Sequence, residues 1–114
     1  YSPLGFGMLT GKYLKKIPKE SRLGLYGDWF TRYNNEKSIT ATKRYQEIAI
    51  KNKLSLTQLA LAFVNTRPFL TSNIIGATNL DQLKENIESI DVELSEEIIA
   101  ELNEVHDDIP NPAP

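Results

Sequence analysis

Apolar residues fall at helical spacing through most of the second half of this chain, while its first third shows no sustained period. Between residues 38 and 53, Tyr45, Ile48, Ala49 and Asn52 follow three- and four-residue steps, which predicts an amphipathic helix with a mostly basic outer face. Ser55-Leu56-Thr57-Gln58 sets a hydroxyl three residues before a glutamine, the pattern of a capping box. The helix it opens, 57–66, carries Leu59, Leu61, Ala62, Phe63 and Val64 around most of its circumference and should be deeply packed, with Pro68 to end it. A β-branched run closed by Gly76 then reads as a buried strand over 72–76. Asn79 is the N-cap of a helix over 79–90 with Leu80, Leu83, Ile87 and Ile90 as its buried stripe. Its Asp81, Glu85 and Glu88 lie toward the N-terminal half, where the helix dipole favours negative charge. Ser95 caps a last helix over 95–108 with Ile98, Leu102 and Val105 as its core face. Residues 109–114 alternate with proline and are expected to lie extended on a surface.

The beginning of the chain is different. Gly5, Gly7 and Gly11 follow Pro3, so the first residues read as the end of a strand entering a glycine loop over 1–13. Residues 14–36, punctuated by Pro18, Gly24 and Gly27, form a loop of about 20 residues, a length typical of lids and binding loops. Trp29, Phe30 and Tyr33 should pack that loop down. The order is strand, long loop, helix pair, strand, helix, helix, which argues for an α/β layout with parallel strands. Two parallel strands need neighbours and cover on both faces, so they read as part of a larger sheet or barrel. The start at Tyr1-Ser2-Pro3, without Met, fits a piece of something longer.

Composition narrows the class. The 114 residues are 40% hydrophobic and 25% charged with no cysteine, which suits one ordinary domain and excludes a disulfide framework or thiolate metal site. No apolar run approaches the roughly 20 residues of a spanning helix, so no membrane association is expected, and the lack of cysteine fits a cytoplasmic setting. Residues 1–53 hold 11 Lys and Arg against 4 Asp and Glu (+7), and residues 54–114 hold 2 against 11 (−9). The basic residues are scattered and not banded with aromatics, which disfavours nucleic acid. A small anion such as a phosphorylated cofactor suits them better.

Candidate chemistry gathers at two places. One is the Ser2-Pro3-Leu4-Gly5 segment. The other is Gly76-Ala77-Thr78-Asn79, where a glycine, a hydroxyl and a helix start make a turn able to cradle phosphate. A plain turn is the simpler alternative. Gln82, Glu85 and Asn86 share one helix face whose amides could meet a purine edge, unless that face is merely solvated. His106 is the only histidine, and with no second nitrogen ligand it indicates neither metal nor catalysis. No nucleophile elbow, HExxH, P-loop or GxGxxG signature occurs.

Together these segments resemble a known family. Tyr-Ser-Pro-Leu-Gly-Phe-Gly-Met-Leu-Thr-Gly-Lys-Tyr at 1–13 resembles the seventh-strand motif of the aldo-keto reductases, and Leu-Ser-Leu-Thr-Gln-Leu-Ala-Leu-Ala-Phe at 54–63 the helix after it. Ile-Ile-Gly-Ala-Thr-Asn-Leu-Asp-Gln-Leu-Lys-Glu-Asn-Ile at 74–87 is similar to the eighth strand and its helix, and Leu94-Ser95-Glu96-Glu97 to the start of the last helix. Within the family the chain resembles bacterial NADP(H)-dependent members, and more distantly potassium-channel β-subunits.

The resemblance implies the C-terminal portion of a (β/α)8 TIM barrel, about two βα units plus the final helix. It implies NADP(H) at the carboxyl-end face and a carbonyl compound as substrate. Ser2, Pro3, Leu4, Gly5 and Phe6 would then line the cofactor, and Tyr1 would stack on the nicotinamide. Lys12 and Arg22 would reach the phosphates from a strap formed by the long loop. Gly76, Thr78, Gln82, Glu85 and Asn86 would hold the adenosine end with its 2′-phosphate. The family's catalytic Asp, Tyr, Lys and His have no counterpart in this chain, so no catalytic residue is assigned. The chain alone is expected to be inactive and to self-associate. A non-catalytic or regulatory relative that keeps the cofactor site is the alternative.

Overall fold

The helices start where side chains can close their first turns. In the computed structural model, which describes residues 2–29 and 31–114 apart from the Asp28 side chain, five α-helices form: α1 (Arg22–Tyr26), α2 (Glu36–Lys51), α3 (Leu56–Asn65), α4 (Leu80–Glu88) and α5 (Glu96–Asp108). Single turns of 3₁₀-helix wind over Gly27–Trp29, Thr31–Tyr33 and Ser89–Asp91, and Gly5–Thr10 holds two short turns joined across a kink at Phe6 and Gly7. Ser55 Oγ accepts the Gln58 N–H at 3.0 Å while Gln58 Oε1 accepts the Ser55 N–H at 3.0 Å, a complete capping box on α3. Asn35, Asn79 and Ser95 each accept one N–H of the first turn of α2, α4 and α5, satisfying donors that a helix start leaves unpaired.

Apolar faces of α2, α3 and α5 meet in the main core. Ala41, Ile48 and Ala49 from α2, Leu56 and Leu59 from α3, and Leu102 and Val105 from α5 are buried together, with Tyr45, Phe63, Ile98 and Ile109 around them. Burial pushes the Tyr45 phenol above its ordinary ionisation range, partly offset by the neighbouring Arg44 charge. Arg44–Asp108 at 2.7 Å and Lys51–Glu101 at 2.6 Å bridge α2 to α5 at the rim, where such pairs contribute at most about 1 kcal/mol each. A second, smaller cluster of Met8, Tyr13 and Leu23, flanked by Phe6, Tyr33 and Ile39, holds the beginning of the chain against α2.

Three expectations are corrected. Among the described residues no strand forms. Ser2 has φ of 50°, and its carbonyl accepts the Gly5 N–H at 2.8 Å, so a turn replaces the first strand end. Residues 72–77 run without a ladder partner, and Ile74 is 83% exposed, so the second segment is not a buried strand. A strand exists only as a pair, and nothing described pairs with it. The α4 stripe also faces outward: Leu80 is 81% exposed, Ile87 57% and Ile90 68%. The opposite side of the helix is buried at Asn86, with Ser89 just beyond, because these polar groups find hydrogen-bond acceptors there: Asn86 Nδ2 donates to the Gly76 carbonyl and Ser89 Oγ to the Asn86 carbonyl. Finally, Trp29 does not pack the long loop down, being 85% exposed, whereas Tyr33 does. Phe30 lies outside the described residues.

Candidate functional site

The glycine loop is built on left-handed backbone. Gly5, Phe6 and Gly7 have φ of 52°, 58° and 94°, and Gly11 follows at 74°. Three consecutive positive values need glycines, and Phe6 among them carries a cost of about 1–2 kcal/mol. Its surroundings hold it there. The Phe6 ring stacks on Tyr33 with centroids 6.0 Å apart and planes 3° from parallel. The Arg22 guanidinium lies 5.4 Å over the same ring. Leu4 closes the loop, its carbonyl accepting the Gly7 N–H at 2.9 Å and the Leu9 N–H at 3.2 Å. Pro3 and Leu4 are half-buried and Ser2 is exposed.

The long loop reaches this point through α1. Ser21 Oγ accepts the Gly24 N–H at 3.2 Å and donates to the Pro18 carbonyl at 2.6 Å. Leu23 is buried, and its N–H donates to the Tyr13 hydroxyl at 3.5 Å. The two cations therefore sit close to the glycine loop: Arg22 over Phe6, and Lys12 with its Nζ 5.0 Å over Tyr13. Among the described residues neither pairs with a carboxylate. Their charge is only partly compensated by ring faces, which leaves it available to an anion.

The second group stands at the start of α4. Asn79 Oδ1 accepts the Gln82 N–H at 2.9 Å. Gln82 Oε1 accepts from both the Thr78 N–H and the Thr78 hydroxyl, each at 3.0 Å. Asn86 Nδ2 donates to the Gly76 carbonyl at 3.1 Å, and Asn86 is buried. Glu85 is half-buried beside them. A Cβ at Gly76 would meet nothing within 4 Å, so its backbone is open to close approach. Thr78 offers the donors an anion needs, and in this arrangement Gln82 holds both.

The predicted residues therefore assemble as two groups. Phe6, Lys12 and Arg22 gather around the glycine loop, and Gly76, Thr78, Gln82 and Asn86 around the start of α4; both the Gly5–Thr10 segment and α4 pack against α3. Tyr1 lies outside the described residues. Sequence reasoning missed Tyr13, the ring that carries Lys12, and expected of Tyr33 only that it pack the long loop down, not that it stack on Phe6; the only signal for either role was an aromatic residue near a glycine loop. It also missed Arg67, whose Cζ lies 4.1 Å over Phe63 and whose Nη2 is buried with no hydrogen-bond partner. Among the described residues no three His, Asp or Glu side chains gather as metal ligands, and no helix is long and apolar enough to cross a membrane.

Comparison with known proteins adds the wider frame. A sequence profile described as the aldo/keto reductase family matches residues 1–107. Protein tas of Escherichia coli (strain K12) is 49% identical over 115 aligned positions, covering 100% of this chain and 33% of that protein. An aldo-keto reductase of Babesia bovis is 44% identical over 90 positions, 76% of this chain and 32% of the other. A probable voltage-gated potassium channel subunit beta of Oryza sativa subsp. japonica is 38% identical over 95 positions, 81% and 29% of the two chains. The chain thus spans about a third of the length of the curated relatives it matches.

Proposed function

The chain belongs to the aldo/keto reductase family, and from that premise we propose that the whole protein reduces aldehydes or ketones with NADPH. The catalytic frame would be a (β/α)8 barrel to which these residues contribute cofactor grip. The observation that carries the reading is the contact of Arg22 with Phe6 at 5.4 Å. It brings the long loop onto the glycine loop and leaves a guanidinium without a carboxylate partner among the described residues.

The residues present suit a phosphorylated dinucleotide. Lys12 and Arg22 supply positive charge. Gly76 leaves space for close approach, and Thr78 stands before the N-terminus of α4, where backbone donors favour an anion. Ser2, Pro3, Leu4, Gly5 and Phe6 would line the cofactor, with Tyr1 stacking on the nicotinamide. Gln82, Glu85 and Asn86 would hold the adenosine half. The Gln82 amide, which now accepts both Thr78 donors, would rotate and release them to the 2′-phosphate. Bound there, NADPH supplies the hydride. The chain's own residues bind and orient it, and the proton donor lies elsewhere in the whole protein. A cytoplasmic location and a small carbonyl substrate belong to the same proposal.

A second reading is favoured by the 38% identity to the rice protein named as a probable channel subunit: a regulatory protein that keeps the cofactor site. Turnover of a reactive aldehyde by the whole protein separates the two.

The binding role is tested on the whole protein with Arg22→Ala and Lys12→Ala. Arg22 is assigned the 2′-phosphate, which only NADPH carries. A hydrogen bond to a charged group contributes about 1.5–3 kcal/mol, so Arg22→Ala should weaken NADPH about tenfold to a hundredfold and NADH far less. Lys12 is assigned the shared pyrophosphate and should weaken both alike. Equal losses for the two cofactors with Arg22→Ala, or no loss, refute its assignment.

A further inference from the structure

We propose that the final segment, residues 109–114, is a latch that holds the long loop closed and so sets how long the dinucleotide stays bound. The proposal rests on the cofactor reading of that loop.

The segment leaves α5 at Ile109, which packs on the main core, and turns at Asn111, whose φ is 49°. Pro110, Pro112 and Pro114 have no N–H to give, so the segment meets its neighbour through carbonyl oxygens. Proline also stiffens it before it docks, which lowers the ordering cost. All the donors come from the far end of the long loop and the first turn of α2. The Pro112 carbonyl accepts from Ser38 Oγ at 2.7 Å and Asn35 Nδ2 at 3.0 Å. The Ala113 carbonyl accepts from Arg32 Nε at 2.8 Å.

Those donors are tied into the loop itself. Asn35 is the N-cap of α2, its Oδ1 accepting the Ser38 N–H at 3.0 Å, while its Nδ2 also donates to the Arg32 carbonyl at 2.8 Å. Ser38 is buried, with 6% of its surface exposed. The Arg32 guanidinium lies 5.4 Å over the Tyr33 ring. Tyr33 stacks on Phe6, and Phe6 carries Arg22. An unbroken line of contacts therefore runs from the Ala113 carbonyl through Arg32, Tyr33 and Phe6 to Arg22. Releasing the segment removes the hydrogen bond that fixes Arg32 and loosens the ring stack under Arg22. Asn35, Ser38 and Arg32 are thus positioning residues: each acts on the cofactor through the loop.

The test uses the whole protein with residues 111–114 removed, and separately Ser38→Ala and Ser38→Thr, alongside Arg22→Ala. Two quantities are measured: the NADPH dissociation rate by stopped-flow fluorescence, and hydrogen exchange of the amides in α1 and residues 31–38. Removing 111–114 should raise the dissociation rate at least tenfold, since the three hydrogen bonds lost, one of them charged, together exceed the roughly 1.4 kcal/mol that a factor of ten represents. Exchange should rise in the loop, and the hydride-transfer rate at saturating NADPH should hold. Ser38→Ala should give part of the effect, and Ser38→Thr, which keeps the hydroxyl, should restore it. Unchanged exchange after the removal overturns the latch. Raised exchange with dissociation altered only in Arg22→Ala overturns the coupling and leaves the cofactor reading standing. Dissociation unchanged in both variants overturns the cofactor reading and the coupling with it.

Discussion

Replacing Gly24 by alanine sets two effects of one methyl group against each other. Gly24 is the middle residue of α1, and alanine is preferred over glycine inside a helix by about 1 kcal/mol. Propensity alone therefore predicts a firmer loop. Space predicts the reverse. A Cβ at Gly24 would lie 2.3 Å from the Pro18 carbonyl oxygen and 2.5 Å from that of Lys19. These are backbone atoms and cannot swing aside as a side-chain end would. The Pro18 oxygen is further pinned by the Ser21 N–H at 3.0 Å and Ser21 Oγ at 2.6 Å. Ser21 Oγ in turn accepts the Gly24 N–H, so the methyl drives into the turn that caps its own helix. Overpacking of this kind costs about 1–3 kcal/mol, and losing a serine cap adds about 1 kcal/mol. The steric cost outweighs the propensity gain.

The damage should be local. Leu23, now 4% exposed, would withdraw from Met8 and Tyr13. Native-state hydrogen exchange at the Leu23 and Leu25 amides should then quicken about tenfold or more, since exchange reports local opening. Gly27→Ala is the matched control. Gly27 has φ of −57° and ψ of −36°, and an added Cβ there meets nothing within 4 Å. Without strain, such a change stabilises by about 0.4–1 kcal/mol. Slower exchange in Gly24→Ala than in the unchanged protein, or equal behaviour of the two alanine variants, would refute the steric argument.

Two further outcomes are expected of the chain on its own. It should not oxidise NADPH with a reactive aldehyde above a no-protein control, since it holds no assigned proton donor; measurable turnover contradicts this. It should also self-associate through Leu80, Ile87 and Ile90 of the α4 region and the backbone of 72–77, because an exposed apolar face and backbone without a ladder partner together invite a second copy. Light scattering should show mass rising from micromolar to millimolar concentration and falling back with Ile87→Lys, and a monomer throughout would defeat the idea.

The elements that could be read from the sequence are those decided within a few residues. The Ser55–Gln58 box, the Asn79 and Ser95 caps and the Leu59–Leu61–Ala62 packing of α3 all depend on side chains one helical turn apart. Segment 72–76 reads as a strand because its composition suits one, but pairing is decided by a partner distant in sequence. The α4 stripe failed for a related reason. A 3.6-residue period shows that one face is apolar, not that anything covers it. There the polar face won, because the Asn86 amide reaches the Gly76 carbonyl and is buried in doing so.

The site follows the same division. Positive φ at Gly5 and Gly7 could be anticipated from glycine itself, whereas φ of 58° at Phe6 could not, since it is sustained by Tyr33 and Arg22 from 27 and 16 residues away. That dependence has a physical consequence. A phenylalanine held in a left-handed conformation is strained, so the loop conformation persists only while its ring contacts last. The pieces that supply those contacts are the long loop and, through Arg32, the final segment. The strained residue thus makes the glycine loop sensitive to whether the loop above it is docked. Relaxing it with Phe6→Gly should keep the turn and remove the platform beneath Arg22. Such a variant should bind NADPH more weakly, with a smaller further loss on adding Arg22→Ala than the unchanged protein shows. Measuring the four proteins of that double-mutant cycle gives the coupling directly. Additive losses would mean that Phe6 and Arg22 act independently, and would remove the ring stack from the account of how Arg22 is held.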